Sequence, residues 1–262
     1  LKANGHFILK TDASFASATN QTVSITAGDS IRSNNFSIST AGANLNLTGK
    51  SMTLGAVTTG AGALTINVTD VGQSATQSGV FSGRSLTKQG DGILVLSQAN
   101  TYSGGTTISA GTLRTNVASA LPDDQAVSVG TSGTLDINGH DQSIGTLTGD
   151  GTIALGSGTL TVGDGNFGGH IGGSTGGLTK NSTGTLILSN SNTYTGGTTI
   201  QQGTLSAKHA QALNQGKVIV ENGATLNIDG VTLALANGLD LSGTGAGGAG
   251  ALTGTGTAAY TG

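Results

Sequence analysis

Apolar and polar residues alternate with a period of two in short runs along the whole chain. The runs include Leu94-x-Leu96, Leu135-x-Ile137, Ile153-x-Leu155, Leu160-x-Val162, Leu186-x-Leu188, Val218-x-Val220 and Leu226-x-Ile228. This is the pattern of short β-strands with one buried face. Turn-forming dipeptides follow them closely: Asp91-Gly92, Asn138-Gly139, Asp150-Gly151, Asn222-Gly223, Asp229-Gly230 and Asn237-Gly238. The first fifty or so residues are less regular but similar in kind, with Val23-x-Ile25, Phe36-x-Ile38 and Leu45-x-Leu47. Only 117–121 and 207–213 look helix-like. Each is expected to be a turn or two protruding from a corner of the fold.

A long internal repeat organises these strands. Residues 86–113, LTKQGDGILVLSQANTYSGGTTISAGTL, recur as 178–205, LTKNSTGTLILSNSNTYTGGTTIQQGTL, at an offset of 92 positions. Downstream, Val127-x-Val129 and Leu135-x-Ile137 return as Val218-x-Val220 and Leu226-x-Ile228 after a one-residue deletion. We read a less regular segment 1–53, a first superrepeat 54–145 and a second 146–262. A sandwich or barrel of hairpins needs no such self-similarity, and it would use larger interior residues. Stacked coils need both a repeat and small side chains. The predicted fold is therefore all-β, a right-handed parallel β-helix (β-solenoid) of roughly eleven or twelve coils, with about four coils of roughly 23 residues in each superrepeat. The tail 242–256 is open to two readings, a linker or a further, sparsely filled set of coils.

Composition supports a solenoid and narrows the function. Glycine supplies 47 of the 262 residues, proline one, cysteine and tryptophan none, and aromatics only 3%. No glycine-every-third pattern exists, which excludes collagen. The recurring Val, Ile and Leu runs argue against disorder. The formal net charge of −3 comes from singly scattered groups, so no basic stripe invites nucleic acid. No segment has the length and apolarity of a membrane helix, and no membrane insertion is expected. The sequence starts at Leu1 without a start methionine or signal peptide and stops after a glycine-rich tract, as a piece of a longer protein would.

The two 28-residue blocks resemble the autotransporter-associated β-strand repeat, also called the passenger-associated transport repeat. Its pattern is roughly L-T-K-x-G-x-G-x-L-x-L-S-x-x-N-T-Y-x-G-G-T-T-I-x-x-G-T-L. The matching positions in the first block include Lys88, Gly92, Asn100, Tyr102, Gly104, Gly105 and Gly111. In the second they include Lys180, Gly184, Asn192, Tyr194, Gly196, Gly197 and Gly203. The second block departs from the pattern at Ser182, which replaces a glycine at the turn. The resemblance implies a non-enzymatic β-helical passenger of a type V secreted protein, extracellular or displayed on a bacterial surface. It also implies adhesion or self-association, with a protein or glycan surface ligand. The membrane β-barrel usual at the C-terminal end of such proteins is not within these residues. An alternative is a structural subunit of an extracellular filament, sheath or surface layer. A polysaccharide-active enzyme on a β-helix comes third.

No catalytic, cofactor or metal site is expected. Asn100–Thr107 and Asn192–Thr199 could be ligand loops with stacking tyrosines, but their recurrence favours an architectural reading. In that reading the asparagine caps a coil corner, the tyrosine covers the coil edge and Gly-Gly makes the turn. Gly163–Gly168 formally fits G-x-G-x-x-G, yet no helix follows it as a dinucleotide site requires. Glu221 is the only glutamate, and Asp123-Asp124 is the only adjacent acidic pair, beside Pro122. Glycoside cleavage needs two carboxylates held close together. His6, His140, His170 and His209 lie near no recognisable motif and read as surface residues.

Overall fold

The computed structural model describes residues 1–15, 21–213, 216–235 and 237–261. Its strands pair in parallel with strands one turn earlier or later, and many are paired on both sides. Leu64–Val68 thus lies between Asn44–Gly49 and Leu86–Gln89, and Thr198–Ile200 lies between Gly177–Lys180 and Val218–Val220. A one-turn 3-10 segment, Ala246–Gly248, is the only helical element among the described residues. The all-β parallel solenoid expected from the alternation is therefore the observed fold, with about eleven turns in all.

The chain divides into two compact units. Unit 1 comprises Leu1–Gln125 with Ser132–Leu135, and unit 2 comprises Ala126–Thr131 with Asp136–Gly262. The interior of unit 1 is a set of aliphatic columns. Leu45, Leu64 and Leu86 share one register, and Met52, Ala75 and Leu94 share another. Ile38, Val57 and Phe81 form a third. Unit 2 repeats the plan, with Leu160 over Leu178 in one column and Leu186, Leu205 and Leu226 in another. All of these side chains are buried, and each fully buried aliphatic side chain contributes about 1.5–3 kcal/mol. Many turns with few large residues therefore suffice for a core.

Coil length varies about the expectation: 23 residues separate Met52 from Ala75 and 24 separate Val57 from Phe81, while several coils of unit 2 are shorter. Eighteen residues separate Gln142 from its register partner Leu160, and 21 separate Leu205 from Leu226. Four turns this short do not fill the 92 positions of a superrepeat, and the register within unit 2 makes the mismatch visible. Val127 pairs with Leu147, whose column continues through Gly165, Leu186, Leu205 and Leu226. Val218, its sequence counterpart, pairs instead with Thr198 and Leu239. A superrepeat is thus four turns plus part of a fifth, so equivalent residues land on different faces.

Two local expectations also change. The segments 117–121 and 207–213 contain no helix: Ala207 ends the strand Gly203–Ala207, and the rest is bends, turns and irregular chain. Ala120, Leu121, Ala212 and Leu213 are buried and anchor these segments in the core, while Ala118, Ser119, Ala210 and Gln211 are exposed. The glycine-rich tail is a further coil. Leu239–Leu241 pairs with Val218–Val220, and Leu252–Thr255 pairs with Ala224–Asp229. It is sparsely filled, with Leu241 45% exposed.

Candidate functional site

The lysine, asparagine and tyrosine of each repeat face inward. In Leu86–Gln89, Leu86 and Lys88 are buried while Thr87 and Gln89 point out, as a period of two requires. The ammonium of Lys88 donates to the carbonyl oxygens of Gln89 at 2.8 Å, Gly90 at 2.7 Å and Ala110 at 3.1 Å. Burial pushes this amine down to about 8, while the carboxylate of Asp91 pulls it the other way. In the second copy, Lys180 donates to the carbonyl of Ser182, to the Ser182 hydroxyl at 3.2 Å and to the carbonyl of Gln202 at 3.2 Å. Burial lowers Lys180 to about 8 as well, with Asp164 opposing.

The departure at Ser182 has a structural counterpart. Gly90 adopts φ +72°, where a Cβ would stand 2.3 Å from the Val68 carbonyl oxygen. Ser182 does not adopt a positive φ, and its hydroxyl supplies Lys180 with an acceptor. Gly111 and Gly203, both at φ +65°, roof the two cradles. A Cβ on Gly111 would lie 2.3 Å from the oxygen of Gly90 and 2.8 Å from Lys88 Nζ.

Asn100 is a brace between turns. Its Oδ1 accepts from the Phe81 amide at 2.8 Å and from the Gln77 side-chain amide, and its Nδ2 donates to the carbonyls of Gln98 at 3.0 Å and Ala120 at 2.9 Å. One side chain thus joins the preceding and following turns of unit 1. Asn192 does the same in unit 2, accepting from the Ile171 amide at 2.7 Å and donating to the Ala212 carbonyl at 2.7 Å.

The tyrosines lie inside the coils, not over their edges. Tyr102 is 3% exposed and Tyr194 0%, so neither ring offers a face to a ligand. Their hydroxyls share hydrogen bonds with Thr106 at 2.6 Å and Thr198 at 2.7 Å. Burial raises both phenols well above their ordinary value, partly offset by these bonds. The glycine pairs between tyrosine and threonine permit close backbone approach. A Cβ on Gly104 would meet the Arg84 carbonyl oxygen at 2.5 Å, and one on Gly196 would meet that of Thr175 at 2.2 Å. Gly105 and Gly197 turn the chain at φ +91° and +89°. Gly92 abuts Val68, and Gly184 abuts Asp164.

Gln77 escaped the sequence reading. Its Oε1 accepts from the Ser97 amide at 3.0 Å while its amide holds Asn100. The available signal was its inward position two residues after Ala75. The G-x-G-x-x-G match runs along the strand Thr159–Phe167 and onto Gly168 beyond it, not into a loop before a helix. Among the described residues, no three His, Asp or Glu side chains gather as metal ligands. His170 is half-buried, its Nδ1 2.8 Å from the Ser191 carbonyl and its Nε2 2.9 Å from the Thr193 hydroxyl.

Outside, the same register stacks hydroxyls. Ser39, Thr58 and Ser82 align in unit 1, and Ser143, Thr161, Thr179 and Thr199 align in unit 2. A shallow groove of about 400 Å³ crosses another face of unit 1, lined by Ser30, Arg32, Ser51, Thr53, Ser74 and Thr76 among others.

The passenger-associated-transport-repeat family matches residues 86–114 and 178–207, the two segments that carry these lysines, asparagines and tyrosines. A curated relative, the Adhesin BmaC autotransporter of Brucella suis biovar 1 (strain 1330), is 39% identical over 151 residues. The match covers 53% of this chain and 4% of that protein, so the chain corresponds to a small part of its relative's length. No solved structure matches the chain. With two passenger-associated-transport repeats set in parallel solenoid coils, and with this relative, the chain is similar to autotransporter passenger sequences.

Proposed function

We propose that this chain is a non-enzymatic adhesion module, displayed outside the cell, whose outer faces bind a protein or glycan on another surface. The division of labour among polar residues carries this reading. The repeat's Lys, Asn and Tyr groups are engaged inside the coils, while the outer faces present in-register hydroxyls and a groove. Stacked hydroxyls at the ~4.8 Å strand spacing form a flat, uncharged, hydrogen-bonding wall. Arg32 adds an exposed guanidinium to the groove. The relative is itself named an autotransporter adhesin, which supports the same reading. We take 54–145 and 146–262 as successive copies of one passenger segment, with the repeat serving architecture and the outer faces serving recognition.

Beads coated with the purified chain and applied to immobilised cell-surface proteins and glycans test this. Saturable adhesion is expected, weakened in a variant carrying Arg32→Ala, Thr53→Ala and Thr76→Ala that melts like the parent. Adhesion no greater than that of albumin-coated beads contradicts it.

A further inference from the structure

The surroundings of Lys88 are those of a bound cation, not of a salt bridge. Its side chain is fully buried, and among the described residues no carboxylate forms an ion pair with it. An ammonium has three N–H donors, and here three backbone carbonyls receive them at 2.7–3.1 Å. The second copy reaches the same count by another route. A serine replaces the glycine, the turn changes its backbone, and two carbonyls plus a hydroxyl oxygen surround Lys180 Nζ. Two chemically different turns thus place three oxygens around one positive nitrogen.

The walls leave room for little else. A Cβ on Gly111 would come within 2.5 Å of the Gly90 and Gly92 oxygens, and one on Gly203 within 2.5 Å of the Gly184 and Ser182 oxygens. One wall of each cage belongs to the next turn, since Ala110 follows Lys88 by 22 residues and Gln202 follows Lys180 by 22. A cage is therefore complete only after the following turn has been laid down. Until then its ammonium keeps water in place of the third oxygen.

We propose that each repeat contains an oxygen-lined site for a small monovalent cation, filled in the native chain by the repeat's own lysine and open, once that side chain is shortened, to ammonium, methylammonium or potassium. The caged cation joins each turn to the next. This holds whatever the outer faces bind, and its test does not depend on adhesion.

The test is thermal unfolding at pH 7 of the full chain and of its Lys88→Ala, Lys180→Ala and Lys88→Met variants. Each is measured in ammonium, methylammonium, potassium and tetramethylammonium chloride at equal ionic strength. Both alanine variants are expected to melt several degrees below the parent in tetramethylammonium, which is too large for the cage. Ammonium and methylammonium should restore at least half of that loss while leaving the parent unmoved. If Lys88→Ala does not fold in buffer, the yield of folded chain on refolding in each salt makes the same discrimination. Equal recovery in ammonium and tetramethylammonium overturns the site. So does a Lys88→Met variant that melts with the parent, because a turn that tolerates an apolar side chain needs no cation.

Discussion

The ammonium of Lys88 donates to the carbonyl oxygen of Ala110 at 3.1 Å, so a single repeat position joins two successive turns. Lys180 stands in the same relation to Gln202. Asn100 and Asn192 do comparable work elsewhere in the coil, each tying backbone groups of the turns before and after it. Aliphatic columns can slide by two residues and still bury an apolar face. Buried polar braces cannot, because a slip would leave their partners unpaired. In this account the braces fix the register that the columns leave loose.

Stability should rise with pH through the lysine window and fall beyond it. Lys88 and Lys180 sit near 8 in the fold against 10.5 unfolded. Between those values the unfolded chain holds more protons, so raising pH favours folding. Tyr102 and Tyr194 act with the opposite sign. Their folded phenols are raised, so above the unfolded value of 10 the folded chain holds more protons and further increase costs stability. Melting temperatures from pH 7 to 11 should pass through a maximum near 10. A Lys88→Met, Lys180→Met chain should lose the rise, and Tyr102→Phe, Tyr194→Phe the fall. A profile shared by parent and variants contradicts these assignments.

Removing the Tyr102 hydroxyl should cost stability without altering adhesion. Thr106, its partner, is 3% exposed, and a buried hydroxyl left without a partner costs about 1–2 kcal/mol. Tyr102→Phe should therefore melt about 2–6 °C lower. A ligand-stacking tyrosine would behave otherwise, since phenylalanine stacks as well and the melting point would stay put.

Gly111 and Gly223 both have positive φ, +65° and +86°, but only Gly111 is crowded. An alanine at Gly223 would meet nothing within 4 Å, leaving only the left-handed backbone penalty of about 1–2 kcal/mol. Gly111→Ala adds collision with two carbonyl oxygens and the Lys88 ammonium. Urea unfolding should show Gly111→Ala losing more than twice as much stability as Gly223→Ala. Similar midpoints would mean that the roof of the lysine cradle is not tight.

Much of this was legible in the sequence, for physical reasons. Leu94-x-Leu96 and Leu186-x-Leu188 alternate because each strand has one face inside, and they recur because each turn presents the same face to the last. The turn length was not legible. Glycine turns of different lengths produce the same alternation, so Val127 and Val218 look equivalent in sequence yet lie in different columns. The sequence suggests a tyrosine covering the coil edge, and only the fold shows the Tyr102 hydroxyl turned inward to Thr106. Lys88 was recognisable as a repeat position but not as an interior one. The signal was present, two residues after Leu86 on the buried side of a strand. A charge overrode it, since lysine is almost never fully buried unless its donors are satisfied. Those acceptors come from a turn 22 residues away, which no local pattern reveals.

The most direct test of the internal-brace account is amide hydrogen exchange at Ile171, whose N–H donates to Asn192 Oδ1 at 2.7 Å. In an Asn192→Ala chain held well below its melting point, the Ile171 amide should lose most of its protection relative to other core amides. The buried groups left unpaired should lower global stability by about 2–5 kcal/mol. Exchange at Ile171 as slow in the variant as in the parent would show that Asn192 does not hold the turns together.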